Sequence, residues 1–141
     1  ERSRRSGSGW KFHPARFFFF FFTPKKTYTS GYNCGAFRYE AQVNLDSAMS
    51  CNCSHCGKKG FLLKFVPAEF FKLVKGDESK LTEYQFNKKH IRHLFCPTCG
   101  VQSYGRGKGV NGAEMIALNV RCLDDVDADS LPITKFDGKA L

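Results

Sequence analysis

From residue 27 onward, apolar and polar positions follow short β-like patterns broken by turn residues. Residues 36–43 read AFRYEAQV and alternate, as a half-buried strand does. Residues 60–66, GFLLKFV, are apolar enough for a buried strand, which Pro67 stops. Residues 67–73, PAEFFKL, suit one or two helical turns with proline at the first position. Gly76-Asp77-Glu78 is a turn, and residues 81–86, LTEYQF, alternate again. Residues 90–95, HIRHLF, run straight into Cys96. A glycine-rich stretch, 105–112, is expected as a flexible hairpin or lid, because it lacks the spacing and following helix of a phosphate-binding loop. The last strong strand is residues 114–120, EMIALNV. The pattern predicts a mainly β domain with no internal repeat.

Residues 1–26 have a different texture. Their start is rich in Arg, Ser and Gly, and Phe17 to Phe22 are six phenylalanines in a row. Six apolar residues are too few to cross a bilayer, which takes roughly 20 in a helix. The segment reads as a basic, Phe-rich extension, disordered or loosely packed, ahead of a domain over 27–141. Its Arg/Ser content makes a mitochondrial presequence the alternative to a cytoplasmic reading.

Charge changes the picture only once it is divided along the chain. Of the formal +9, residues 1–30 hold seven Lys or Arg against a single acid, and the rest is nearly balanced. The domain itself therefore shows no nucleic-acid signature, and no membrane partner is expected.

The candidate chemistry lies in the cysteines. Cys51, Cys53 and Cys56 form C-x-C-x-x-C, Cys96 and Cys99 form C-x-x-C, and Cys34 stands upstream beside Gly35. Cysteines one residue apart rarely reach disulfide geometry, and seven is an odd number. Clustered thiols of this kind suit zinc, and reduced thiols imply a reducing compartment, most simply the cytoplasm. The division between sites stays open: two three-cysteine sites, or one four-cysteine site with spare buried cysteines. The C-x-x-C could also be a redox pair. If the C-x-C-x-x-C loop fills three corners of one tetrahedron, the fourth is open, as in a catalytic zinc.

These residues carry a resemblance. Residues 31–36 (GYNCGA), the C-x-C-x-x-C, residues 94–100 (LFCPTCG), residues 119–124 (NVRCLD) and the terminal PITKFDG occur in the right order over roughly 27–138. Together they resemble the glutathione-dependent formaldehyde-activating family, whose domain is shared with centromere protein V. The resemblance implies a β-tent fold of the Mss4-like type with zinc knuckles and two zincs. It implies Cys51, Cys53 and Cys56 as ligands of a catalytic zinc, and Cys34, Cys96 and Cys99 as ligands of a structural one. It further implies a carbon–sulfur lyase, S-(hydroxymethyl)glutathione synthase-like, that acts on glutathione and formaldehyde or on a related thiol adduct.

One position departs from the family pattern. Tyr32 occupies the place of the first cysteine in its Gly-x-Cys-x-Cys-Gly motif, so the structural site lacks its fourth ligand. Tyrosine ionises near pH 10 and is a poor substitute. Water, His90, His93 or a weaker zinc are the ways to fill the gap, and Tyr32→Cys is expected to raise stability and zinc retention. Cys122 reads as a buried small hydrophobe or a pocket-lining residue. Lys58 and Lys59, with His55, could offset thiolate charge, with a solvated basic turn as the plain alternative. Lys58 and Arg121 are the candidates for substrate contact; for Arg121 the alternative is a surface ion pair to Asp124 or Asp125. The rival function is a zinc-stabilised binding module whose basic tail associates with chromatin or microtubules.

Overall fold

A computed structural model describes residues 25–86, 90–109 and 111–140. The extension before residue 25, with Phe17 to Phe22, lies outside the described residues. The chain is mainly β: strands β1 (Lys26–Gly31), β2 (Arg38–Val43), β3 (Ala48–Cys51), β4 (Leu63–Pro67), β5 (Phe71–Lys75), β6 (Thr82–Tyr84), β7 (Arg92–Phe95), β8 (Tyr104–Lys108), β9 (Glu114–Asn119) and β10 (Ile133–Phe136). Helix α1 (Ser54–Lys59) joins β3 to β4. Among the described residues, no helix is long and apolar enough to cross a membrane.

The strands form two sheets that lean on a shared core. The smaller has the order β1-β2-β5, and the larger β10-β3-β4-β9-β8-β7-β6. Period two decides which side chains face inward. In β2, Tyr39, Ala41 and Val43 are buried while Glu40 and Gln42 are exposed. In β9, Ile116 and Leu118 turn inward in the same way. The two sheets meet where Tyr39 of one packs edge-on against Tyr104 of the other, ring centroids 5.4 Å apart. Phe71 fills the angle, at 4.9 Å from Tyr39 and 4.6 Å from Tyr104. The Tyr39 hydroxyl donates to the Ser103 carbonyl at 3.2 Å, so this buried polar group is satisfied.

Two elements differ from the sequence pattern, and a third resolves between its alternatives. Residues 67–73 are one 3-10 turn (Ala68–Phe70) followed by strand β5, because the Phe71 ring is claimed by the core. Residues 60–66 are half-buried rather than buried throughout: Phe61 and Leu62 sit inside ahead of the strand, and Phe65 points outward. The glycine-rich stretch is the hairpin rather than the lid: β8 and β9 pair antiparallel around a turn closed by the Gly109 amide on the Ala113 carbonyl at 2.8 Å. Tyr104–Lys108 is strand β8, paired on both sides with β7 and β9. Its glycines serve close approach, since a Cβ on Gly105 would lie 3.1 Å from the Arg92 carbonyl oxygen. Strands β1, β3 and β10 and helix α1 have no clear signal in the pattern. β10 lies parallel to β3, with Phe136 opposite Cys51, so the chain's end returns to the first cysteine cluster.

Candidate metal centre

Cys51 ends β3, Cys53 caps helix α1, and Cys56 is one turn inside it. The C-x-C-x-x-C spacing therefore folds as a strand end, a bend and a helical turn, which turns three thiols to one point. Their Sγ atoms all lie within 4.8 Å of one another. The Cys53 amide points at Cys51 Sγ at 3.4 Å, and the Cys56 amide at Cys53 Sγ at 3.3 Å. Burial opposes ionisation of Cys53, but the Cys56 and His55 amides outweigh it and hold the thiol below its ordinary range. Burial, with the Cys53 and Cys51 sulfurs, pushes the Cys56 thiol up. Sulfurs that converge within reach of one ion, two of them accepting amide hydrogen bonds, fit a zinc ion.

The second cluster joins a hairpin turn to a knuckle. Cys34 lies in the turn closed by the Gly35 amide on the Tyr32 carbonyl at 2.9 Å. Cys96 and Cys99 lie in the turn closed by the Gly100 amide on the Cys96 carbonyl at 2.8 Å. Cys34, Cys96 and Cys99 also converge within 4.8 Å. The Cys34 and Cys96 sulfurs are 3.5 Å apart, in contact and unbonded, and all seven cysteines are free thiols. Burial works against ionisation of Cys96, yet the amides of Cys99 and Thr98 bring it down to about 7. The donor set again fits zinc. The structure thus supports two triads rather than one four-cysteine site.

Tyr32 takes no part in that triad. Its ring packs edge-on against Phe37 at 5.4 Å, and its hydroxyl donates to the Leu94 carbonyl at 3.1 Å. Burial raises its pKa further above the ordinary range. Among the described residues no histidine or carboxylate joins either triad. His90 is exposed, and His93 turns to His55, with ring centroids 4.2 Å apart. Cys122 is half-buried, its Sγ 3.9 Å from the Gln102 carbonyl oxygen. Burial raises its thiol, and Cys99 adds to that.

The sequence reading missed the neighbourhood of the first triad. His55, inside the C-x-C-x-x-C loop, stacks on Tyr84 at 5.5 Å and lies 5.3 Å from Phe86. His93 is buried, its Nδ1 3.4 Å from Gln102 Nε2. Lys59 lies over the Phe61 and Phe95 rings at 5.9 and 5.7 Å, while Lys58 is exposed. Arg121 pairs with Asp129 at 3.0 Å rather than with Asp124 or Asp125. Asn52 binds residues 136–139 through three hydrogen bonds, partners more than 80 positions away in sequence that no local motif could announce.

A family model for the glutathione-dependent formaldehyde-activating enzyme matches residues 27–136, well over half of the chain. The chain belongs to that family. The formaldehyde-activating family thus spans both cysteine triads, and the resemblance drawn from the motifs holds. Among solved structures, a crystal structure of a Rhodobacter sphaeroides protein is similar at 27% identity and a TM-score of 0.64. The match covers 75% of this chain and 99% of that one, and supports the two-sheet architecture.

Proposed function

We propose that this chain is a zinc-dependent carbon–sulfur lyase-type enzyme that forms S-hydroxymethylglutathione from glutathione and formaldehyde, or handles a closely related thiol adduct. The observation that carries this reading is the Cys51/Cys53/Cys56 triad: three converging thiols, with no fourth protein ligand among the described residues. A zinc held there would supply an open coordination position at which an incoming thiol gives up its proton. The protein's part is to hold the Cys51 and Cys53 sulfurs with the amides of Cys53 and Cys56 and to carry Cys56 on the helix, so that an approaching group meets a fixed site. The imidazoles of His55 and His93 favour their neutral form beside it. Burial lowers both; Lys59 adds to the effect at His55, and His55 and then Lys59 add to it at His93. In this reading Cys34, Cys96 and Cys99 hold a structural zinc, and the reduced thiols suit a cytoplasmic setting.

The test is zinc content by elemental analysis, alongside the acceleration of adduct formation over buffer. Cys53→Ala is expected to carry about one zinc per chain fewer and to lose the acceleration. Deletion of residues 1–26 should leave both intact. Wild-type protein without zinc, or Cys53→Ala with full acceleration, overturns the reading. A deletion that abolishes the activity instead points to the basic extension.

A further inference from the structure

The chain's last residues are built against the first triad. β10 runs parallel to β3 with Phe136 opposite Cys51, so the residues that follow pass over the C-x-C loop. Asn52, between the first two cysteines, ties them down. Its backbone amide donates to the Phe136 carbonyl at 3.2 Å, and its Nδ2 donates to Asp137 Oδ1 at 2.9 Å. Its Oδ1 accepts from the Lys139 amide at 3.0 Å. An amide side chain suits this position because it donates to a carboxylate and accepts from an N–H at once. Aspartate, of nearly the same shape, would place a carboxylate against Asp137.

Between those anchors sits Gly138. A Cβ there would lie 2.5 Å from Cys51 Sγ and 3.0 Å from Cys53 Cβ, where carbon and sulfur normally keep well over 3 Å. One methyl group cannot enter without moving a ligand sulfur or the strap. The strap offers no metal-binding thiol of its own, so it acts as a wall.

We propose that residues 136–139 form a wall of the Cys51/Cys53/Cys56 site, with Gly138 as the positioning residue that lets this wall close on the metal-binding thiols. The inference rests on the metal reading of that triad. It follows that zinc uptake and strap order are coupled: fixing Cys51 and Cys53 fixes Asn52, and Asn52 holds the strap. A side chain at 138 should uncouple them.

The experiment is zinc titration of the 141-residue chain, followed by segment-resolved hydrogen exchange and elemental analysis. In wild type, zinc is expected to raise protection in residues 51–57 and 136–140 together. Gly138→Ala should weaken zinc at this triad by roughly ten- to a hundredfold and abolish both gains, with protection of residues 94–100 unchanged. That unchanged segment reports that the variant is folded. Gly57→Ala is the control, since its Cβ meets nothing nearer than the Asn52 carbonyl oxygen at 3.7 Å; it should bind as wild type. Asn52→Asp, which keeps Gly138, should lose protection of the strap while still binding zinc. Gly138→Ala with wild-type affinity and protection overturns the wall, as does a zinc-loaded wild type whose strap stays unprotected. A wild type that takes up no zinc in residues 51–57 overturns the functional reading, and the wall with it.

Discussion

Tyr32 shows how far ligand counting reaches at the scale of one residue. Counted as a missing cysteine, it makes Tyr32→Cys look like a repair. In the fold its ring fills space between Phe37 and Tyr104, and only 4% of its surface is exposed. Removing a buried aromatic side chain costs about 3–5 kcal/mol, and the cysteine would also leave the Leu94 carbonyl without its donor. We therefore expect Tyr32→Cys to lower the thermal midpoint of the metal-free protein, the reverse of what the motif suggests. A midpoint at or above wild type would return the argument to ligand number. Gly138 makes a related point, because a residue without a side chain gives no chemical signal until its neighbours are known.

At the scale of elements, β8 carries the clearest consequence of packing. Its sequence, YGRGK, lacks the apolar alternation of a buried strand, yet it is a central strand between β7 and β9. Part of the reason is Arg106, whose guanidinium holds Glu78, in the 3-10 turn Glu78–Lys80 ahead of β6, at 2.9 Å and Glu114 of β9 at 2.8 Å. Glu78 also accepts the Tyr104 hydroxyl at 2.7 Å. Burial opposes its ionisation, but Arg106 and Tyr104 outweigh that and hold its carboxyl below the usual range. Glu78→Gln should cost about 1–3 kcal/mol in chemical denaturation at neutral pH. Because the folded pKa lies below the unfolded one, this contribution is complete above the unfolded value. It is lost as pH falls through the folded one, so the gap between variant and wild type should shrink in acid. A gap independent of pH would argue that shape, not charge, is what Glu78 supplies. Strands β2 and β9 were legible in the sequence because each buries a single face of its sheet, which imposes period two. β1, with its polar KTYTSG, and the short β10 were not, since partners supplied from elsewhere in the chain make them strands.

Across the whole molecule, the two histidines link the C-x-C-x-x-C loop to the larger sheet. His93 of β7 is held down to about 4 by burial, then by the charges of His55 and Lys59, against an ordinary value of 6.5. It faces His55, Tyr84, Phe86 and Gln102. The fold thus favours the neutral ring. In the window between 6.5 and about 4 the unfolded chain binds a proton that the folded one refuses, so stability is full above the window and falls as pH drops through it. Up to about 3 kcal/mol is at stake. Thermal midpoints of wild type and His93→Gln, at equal metal content, should converge or cross as pH falls from 7 to about 4. Parallel profiles would remove His93 from the account.

Read alone, the sequence marks the candidate metal-binding thiols and the main strands. Cysteine spacing is local, so C-x-C-x-x-C and C-x-x-C point to clustered thiols that could hold a metal, and period-two burial points to strands. The tertiary structure decided the grouping: that Cys34 joins Cys96 and Cys99, that Tyr32 belongs to the core, and that residues 136–139 close on Cys51. Each of these depends on chain segments brought together over many tens of residues by sheet pairing, and such pairing is set by the packing of the whole core.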